Sequence, residues 1–191
     1  MPKGRDSGMP TIEQWESYFD VAGVLDSFGC RAVVGDAVEF GCGYGTFTIP
    51  LAQRINGRVF ALDIEPFMVA ATEARAQQAG LQNTIVEQRD FVTRGCGRES
   101  ESTPLVLLFN ILHIEDPIKV LKEAQRVLRI GGQADIIHWI HDARSPRGPP
   151  LDIRPKPEQC RAWGEQAGLR WVRDQALPGS PWHWGMVLEK R

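Results

Sequence analysis

With 191 residues, 42% hydrophobic and 24% charged, the chain has the length of one domain with a full core and the composition of an ordinary globular protein. A formal net charge of −2 removes the overall basic field that nucleic acid or an anionic membrane surface calls for. No apolar run approaches the roughly 18–20 residues of a membrane span, and MPKGRDSGMP lacks the apolar stretch of a signal peptide, so a cytoplasmic protein is expected.

The segment 11–28 places Trp15, Phe19, Ala22 and Leu25 at helical spacing and predicts a helix or two packed over one edge of a sheet. AVEF (37–40) is a short strand that runs into the glycines of VEFGCGYGTF. Phe47, Leu51 and Ile55 then make one helix face, with Pro50 tolerable only near its first turn. RVFALD (58–63) is the second strand; Pro66 opens a helix at its first position and Gly80 closes it. TIVEQRD (84–90) is the third strand, and the polar stretch 93–104 is a surface loop.

LVLLFN (105–110) suits a strand buried on both faces, as in parallel sheets. Asp116-Pro117 caps a helix whose apolar stripe runs from Val120 to Leu128 and which Gly131-Gly132 would end. QADIIHWI (133–140) is the fifth strand. Five prolines between 142 and 157 exclude regular structure there. A helix from about 157 to 167 and two strands, 169–175 and 182–190, complete the chain as an antiparallel hairpin. Cys30, Cys42, Cys96 and Cys160 form no CxxC pair and none is close to a histidine, so free thiols and no metal site are expected.

Strand–helix alternation predicts an α/β fold: one Rossmann-like, doubly wound, mostly parallel seven-stranded sheet ending in an antiparallel hairpin. Ligands of such sheets bind outside the carboxyl ends of the strands. The glycine loop, Asp63, Asp90 and Asn110 all fall at such ends. The dinucleotide fingerprint GxGxxG is not met, because Thr46 stands where its third glycine belongs; no GK[ST] follows, which excludes a phosphate-binding Walker loop. Glu39, two residues before Gly41, would repel a pyrophosphate and suit a cationic ligand.

Taken in order, VEFGCGYGTFTIPLA, VFALDIEP, EQRDF and LVLLFNILHIEDPIKVLKEAQRVLRIGGQADI resemble the motifs of class I S-adenosylmethionine-dependent methyltransferases over residues 36–140, in the small-molecule, quinone-methylating (type 11) group. The resemblance implies S-adenosylmethionine as cofactor and S-adenosylhomocysteine as product. It also implies a helical cap over the active site in residues 1–30 and a methyltransferase domain in 31–191. The cofactor residues it implies are Glu39, Gly41, Cys42, Gly43, Tyr44, Gly45, Asp63, Ile64, Asp90, Phe91 and Asn110. Glu39 would face the methionine end, Asp63 the ribose hydroxyls, Asp90 the adenine amino group and Asn110 the methionine part. A carboxylate has two oxygens for two hydroxyl donors. Asp63 also reads as a helix cap, and Asp90 as a turn aspartate.

Methyl transfer needs alignment and exclusion of water, and a base only where the acceptor is protonated. Candidate catalytic residues are His113, His138 and His141, with His183 a further candidate. Trp15, Phe19, Trp139 and Arg147 are candidate walls of an acceptor pocket. From Arg144 to Arg173 seven Arg/Lys face three Asp/Glu, which suits either an anionic acceptor near Arg147 and Arg154 or a solvated surface. NILH in place of [ND]PP[YF] disfavours methylation of base or glutamine amino groups. The partner expected is a small-molecule acceptor, with no nucleic acid and no membrane span. Two rivals stand beside it: a non-catalytic S-adenosylmethionine-binding module serving a partner protein, and an NAD(P)-dependent oxidoreductase.

Overall fold

The computed structural model describes residues 8–191, so residues 1–7 of the expected N-terminal cap lie outside the described residues. Helices α1 (Ile12–Glu16) and α2 (Val21–Ser27) lead into β1 (Ala37–Phe40). There follow α3 (Thr48–Ala52), β2 (Val59–Asp63), α4 (Pro66–Gln78), β3 (Thr84–Gln88) and α5 (Phe91–Arg94). The chain continues through β4 (Thr103–Phe109), α6 (Pro117–Val127), β5 (Leu128–Trp139), α7 (Pro157–Gln166), β6 (Leu169–Gln175) and β7 (His183–Lys190).

The strands form one seven-stranded sheet in the order β3-β2-β1-β4-β5-β7-β6. Only the pairings of β7, with β5 and with β6, are antiparallel among the named strands. β1 pairs on one side with β2 (Ala37↔Val59) and on the other with β4 (Ala37↔Leu105). The strand order therefore reverses between β1 and β4, which opens a crevice beyond their carboxyl ends. β1, β2 and β4 are buried along their whole length, as strands covered on both faces must be.

Each face carries its own core. One packs α6 and α7 against Val38, Phe40, Leu62, Val106, Leu108 and Ile136. Val120, Leu121, Ala124 and Val127 of α6 are fully buried, each side chain contributing on the order of 1–3 kcal/mol. The Asp116 carboxylate accepts from the Lys119 amide at 3.1 Å and caps this helix. Asp116→Ala is expected to lower unfolding stability by about 1 kcal/mol at unchanged m-value in urea.

The opposite core packs Trp15, Phe19, Val24, Leu25 and Phe28 on Leu105, Leu107, Ile137 and Val187. The first two helices thus cover the face of the central strands, not an edge of the sheet: their aromatic stripe needs a broad apolar surface. A second correction concerns Gly131-Gly132, which lie inside β5 rather than at a helix end. The helix stops at Val127, because Leu128 turns extended (φ −64°, ψ 135°) and pairs with Thr103. The register then shifts between Thr103 and Leu105, and Gly131 (φ +74°) takes up the irregularity. The expected loop 93–104 is also shorter. Its first residues belong to α5, its last to β4, and Cys96 within it is buried.

Candidate active site

The glycine loop leaves β1 and is pinned at once: the Gly41 and Cys42 amides both donate to the Leu62 carbonyl, at 2.8 and 3.0 Å. Asp63 holds the next turn. Its Oδ2 accepts from the Gly43 amide at 2.9 Å and its Oδ1 from the Glu65 amide at 3.0 Å. From α4, Thr72 Oγ1 donates to the Gly43 carbonyl at 2.8 Å and Arg75 to the Tyr44 carbonyl at 2.8 Å. Tyr44 in turn donates its hydroxyl to the Pro10 carbonyl, which ties the N-terminal segment to the loop. The sequence pattern gave no role to Thr72 or Arg75. Their signal was two polar residues three apart on the helix after the second strand.

The glycines differ in what they face. A Cβ on Gly43 (φ +54°) would meet only the Met9 methyl, at 3.6 Å. A Cβ on Gly45 (φ +73°) would strike Thr72 Cγ2 at 2.9 Å. Gly43 therefore borders open space, while the absence of a Cβ on Gly45 lets the loop lie against α4. Thr46 is buried with its hydroxyl on Glu16, so a side chain fills the position that a dinucleotide fingerprint keeps clear.

Beyond the strand ends lies a cleft of about 480 Å³, lined by every residue named above for a cofactor except Gly45. Glu39 sits in its floor, 2% exposed, and accepts from Thr48 Oγ1 at 2.5 Å. Burial pushes its carboxyl up to about 8, against the Thr48 bond and with help from Asp63. Asp63 is also raised by burial, opposed by the amides it accepts. Asp90 caps α5 through Oδ1, which accepts from the Thr93 amide at 3.2 Å; Oδ2 takes no part in that bond. Both the ligand and the turn readings of Asp90 fit this position. Asn110 adopts a left-handed backbone (φ 56°), and its amide Nδ2 and Oδ1 are both buried without a hydrogen-bond partner at the cleft wall. Strain and an orphaned amide together mark a position selected for something other than stability.

Carboxylates dominate the lining: Glu39, Asp63, Glu65 and Asp90. Among the described residues, Arg89 is the lining's one arginine or lysine, and it donates to the Gly95 and Arg94 carbonyls of its own loop. An acceptor set of this kind fits cations, hydroxyl and amino groups, and fits a pyrophosphate badly.

The same cleft is lined by Trp15, Trp139, Ile111, Met9, Pro149 and His113, with Met9 and Ile111 against the glycine loop. Phe19 is not in the lining; it packs beneath, 5.1 Å from Phe47 and 4.3 Å from His183 between ring centroids. Arg147 reaches past the cleft to donate to the Gly8 carbonyl at 2.6 Å. Arg154 is buried and spends its guanidinium on carbonyls of the proline-rich loop and Ser145 Oγ, so it offers nothing to an anion. His141 is exposed, paired with the Arg154 carbonyl at 3.2 Å, and outside the cleft lining. It lies two residues past the end of β5, where strand alternation no longer aims a side chain. His138 is fully buried behind His113, and His183 is buried among aromatic rings, its imidazole pushed down to about 3 by burial.

All four cysteines are free and buried. Among the described residues no helix is long and apolar enough to cross a membrane, and no group of three metal-ligating side chains occurs.

Residues 37–132 match the family model described as a methyltransferase domain, half of the chain. The chain is 34% identical over 128 residues to an uncharacterized 37.1 kDa protein of a Streptomyces fradiae transposon, across 65% of this chain and only 35% of that protein's length. Its fold is similar to that of an S-adenosylmethionine-dependent methyltransferase from Aquifex aeolicus, with TM-score 0.78, 23% identity and 90% of each chain covered. A Methanosarcina mazei S-adenosylmethionine-dependent methyltransferase gives TM-score 0.61 at 14% identity, over 81% of this chain and 92% of that one. At these identities the likeness is one of fold.

Proposed function

The chain belongs to the methyltransferase-domain family, and we propose that it carries a methyl group from S-adenosylmethionine, that family's donor, to a small-molecule acceptor. When bound, the cofactor supplies an electrophilic methyl on a sulfonium. One observation carries the reading: Glu39 and Asp63 on neighbouring strands, and Asp90 just beyond the next, line one cleft whose arginine is spent elsewhere. Asp63 would take the ribose hydroxyls with the lone pairs its two amide bonds leave. Asp90 Oδ2 would take an amino group, and Gly43 the close approach of the ligand. Asn110 would give its orphaned amide to the methionine part.

The aromatic part of the lining, with Trp15 and Trp139, would hold the acceptor and exclude water, so that residues here work by alignment. Residues 8–28 would act as a cap, joined to the cofactor loop by Tyr44 and Pro10 and to the proline-rich loop by Gly8 and Arg147. The whole protein's substrate is proposed only at this level.

A melting-temperature panel tests the reading. At a hundredfold excess over its dissociation constant, S-adenosylmethionine or S-adenosylhomocysteine is expected to raise the midpoint by roughly 5–10 °C. NAD(P) should leave it unchanged, and the reverse pattern would sink the proposal.

Glu39 adds a pH signature. A carboxyl raised to about 8 is protonated at neutrality, whereas a cation over it favours the carboxylate. S-adenosylmethionine binding is therefore expected to release a proton near pH 7 and to tighten as pH rises toward 8. Glu39→Gln should abolish that slope. Titration calorimetry in two buffers of different ionisation enthalpy counts the proton; an identical heat in both contradicts the assignment. The free protein should show the opposite trend. The unfolded carboxyl ionises at its ordinary value and the folded one near 8, so Glu39 makes stability fall as pH rises between them.

A further inference from the structure

Helix α1 is 5 residues long, far below the roughly 12–15 that an isolated helix needs in water, so its place is set by what it is tied to. Its buried residue, Trp15, lines the cleft and packs 6.4 Å from Trp139 between ring centroids. Tyr18, just after the helix, meets the same Trp139 ring edge to face at 5.2 Å. The short helix thus carries one part of the proposed acceptor wall.

Two polar ties run from this segment to the glycine loop. Tyr44 donates its hydroxyl to the Pro10 carbonyl at 2.9 Å. Glu16 Oε1 accepts from Thr46 Oγ1 at 3.1 Å and from one terminal guanidinium nitrogen of Arg75 at 2.8 Å. The other terminal nitrogen of Arg75 donates to the Tyr44 carbonyl at 2.8 Å. Glu16 therefore closes a node that joins α1, α4 and both neighbours of Gly45, and those neighbours, Tyr44 and Thr46, line the cleft. The Glu16 and Arg75 side chains are 37% and 30% exposed, and a pair this exposed adds little to stability. Its effect is one of geometry: these bonds fix where Trp15 stands relative to the glycine loop.

We infer that Glu16 is a positioning residue that couples the acceptor wall to the cofactor loop, so that a cofactor seated on the loop also holds α1 and Trp15 in place. A ligand that restrains the loop makes local opening of whatever is bonded to it more costly. The coupling is reciprocal by linkage: an acceptor resting on Trp15 would hold the cofactor more tightly. This inference rests on the methyltransferase reading for the identity of the ligand at the loop.

Hydrogen exchange read by mass spectrometry, on the full chain with and without saturating S-adenosylhomocysteine, tests it. The amides to follow are those of Trp15, Ser17 and Phe19, which bond to carbonyls within the segment. The ligand is expected to slow their exchange by about tenfold in the wild type and by less than about twofold in Glu16→Ala. Arg75→Met, which breaks the node from α4, should lose the protection as well. Glu16→Gln, whose amide oxygen still accepts both bonds, should keep most of it. Glu16→Ala should melt within about 3 °C of the wild type, which separates lost coupling from lost fold. Wild-type amides that exchange equally with and without ligand overturn the inference, as does full protection in Glu16→Ala or Arg75→Met. A thermal shift with S-adenosylhomocysteine but no protection of α1 refutes the role of Glu16 and leaves the function standing. Neither shift nor protection removes both.

Discussion

Asp63→Ala is expected to weaken S-adenosylmethionine binding by about a hundredfold, ~3 kcal/mol by calorimetric titration. The substitution acts twice. It removes the carboxylate proposed to receive the ribose hydroxyls, and it frees the Gly43 and Glu65 amides that fix the glycine loop. Hydrogen bonds to a charged acceptor contribute roughly 1.5–3 kcal/mol each, so losing the ligand contact alone accounts for most of the effect. Asp63→Asn keeps an acceptor for one amide and should fall between wild type and alanine. Affinity within threefold of wild type in Asp63→Ala would remove Asp63 from the site.

The second large effect separates two glycines that look alike in the motif. Gly45→Val is expected to cost about 3 kcal/mol or more of stability, a fall of roughly 6–12 °C in melting temperature. A β-branched residue is strained at φ +73°, and its Cβ would lie 2.9 Å from Thr72 Cγ2. Gly43→Val meets no such wall: the Met9 methyl at 3.6 Å is ordinary contact, leaving a backbone cost of about 1–2 kcal/mol at φ +54°. It should fold and yet lose the cofactor, because its side chain projects into the cleft. Paired melting and binding measurements on the two variants check this. Equal stability losses would mean that the loop is packed differently.

The acids of the site were legible because their positions follow from where apolar runs stop. VFALD and LVLLFN end abruptly in polar residues, AVEF runs into the glycine loop one residue past Glu39, and parallel sheets put those ends on one side. Thr46 was informative for a similar reason: a counted glycine pattern has a defined place for each residue. What could not be read was direction. Thr72 and Arg75 sit on a helix that buries only Thr72 and Ala76, so no apolar stripe announced the face turned to the loop. His138 and Trp139 alternate along β5, and only the packing of the two faces decides which reaches the cleft. Gly131-Gly132 carried the ordinary mark of a helix stop, yet Leu128 had already paired with Thr103. Pairing partners far apart in sequence overrode the local signal.

The most direct measurement is a crystal structure of the full chain with S-adenosylhomocysteine. The ligand is expected in the cleft beyond β1, β2 and β4, its adenosine beside Asp63 and Asp90 and its amino-acid end toward Glu39, Gly43 and Asn110. Ligand bound anywhere else on the chain, or a cleft that takes NAD(P) in its place, would contradict the account.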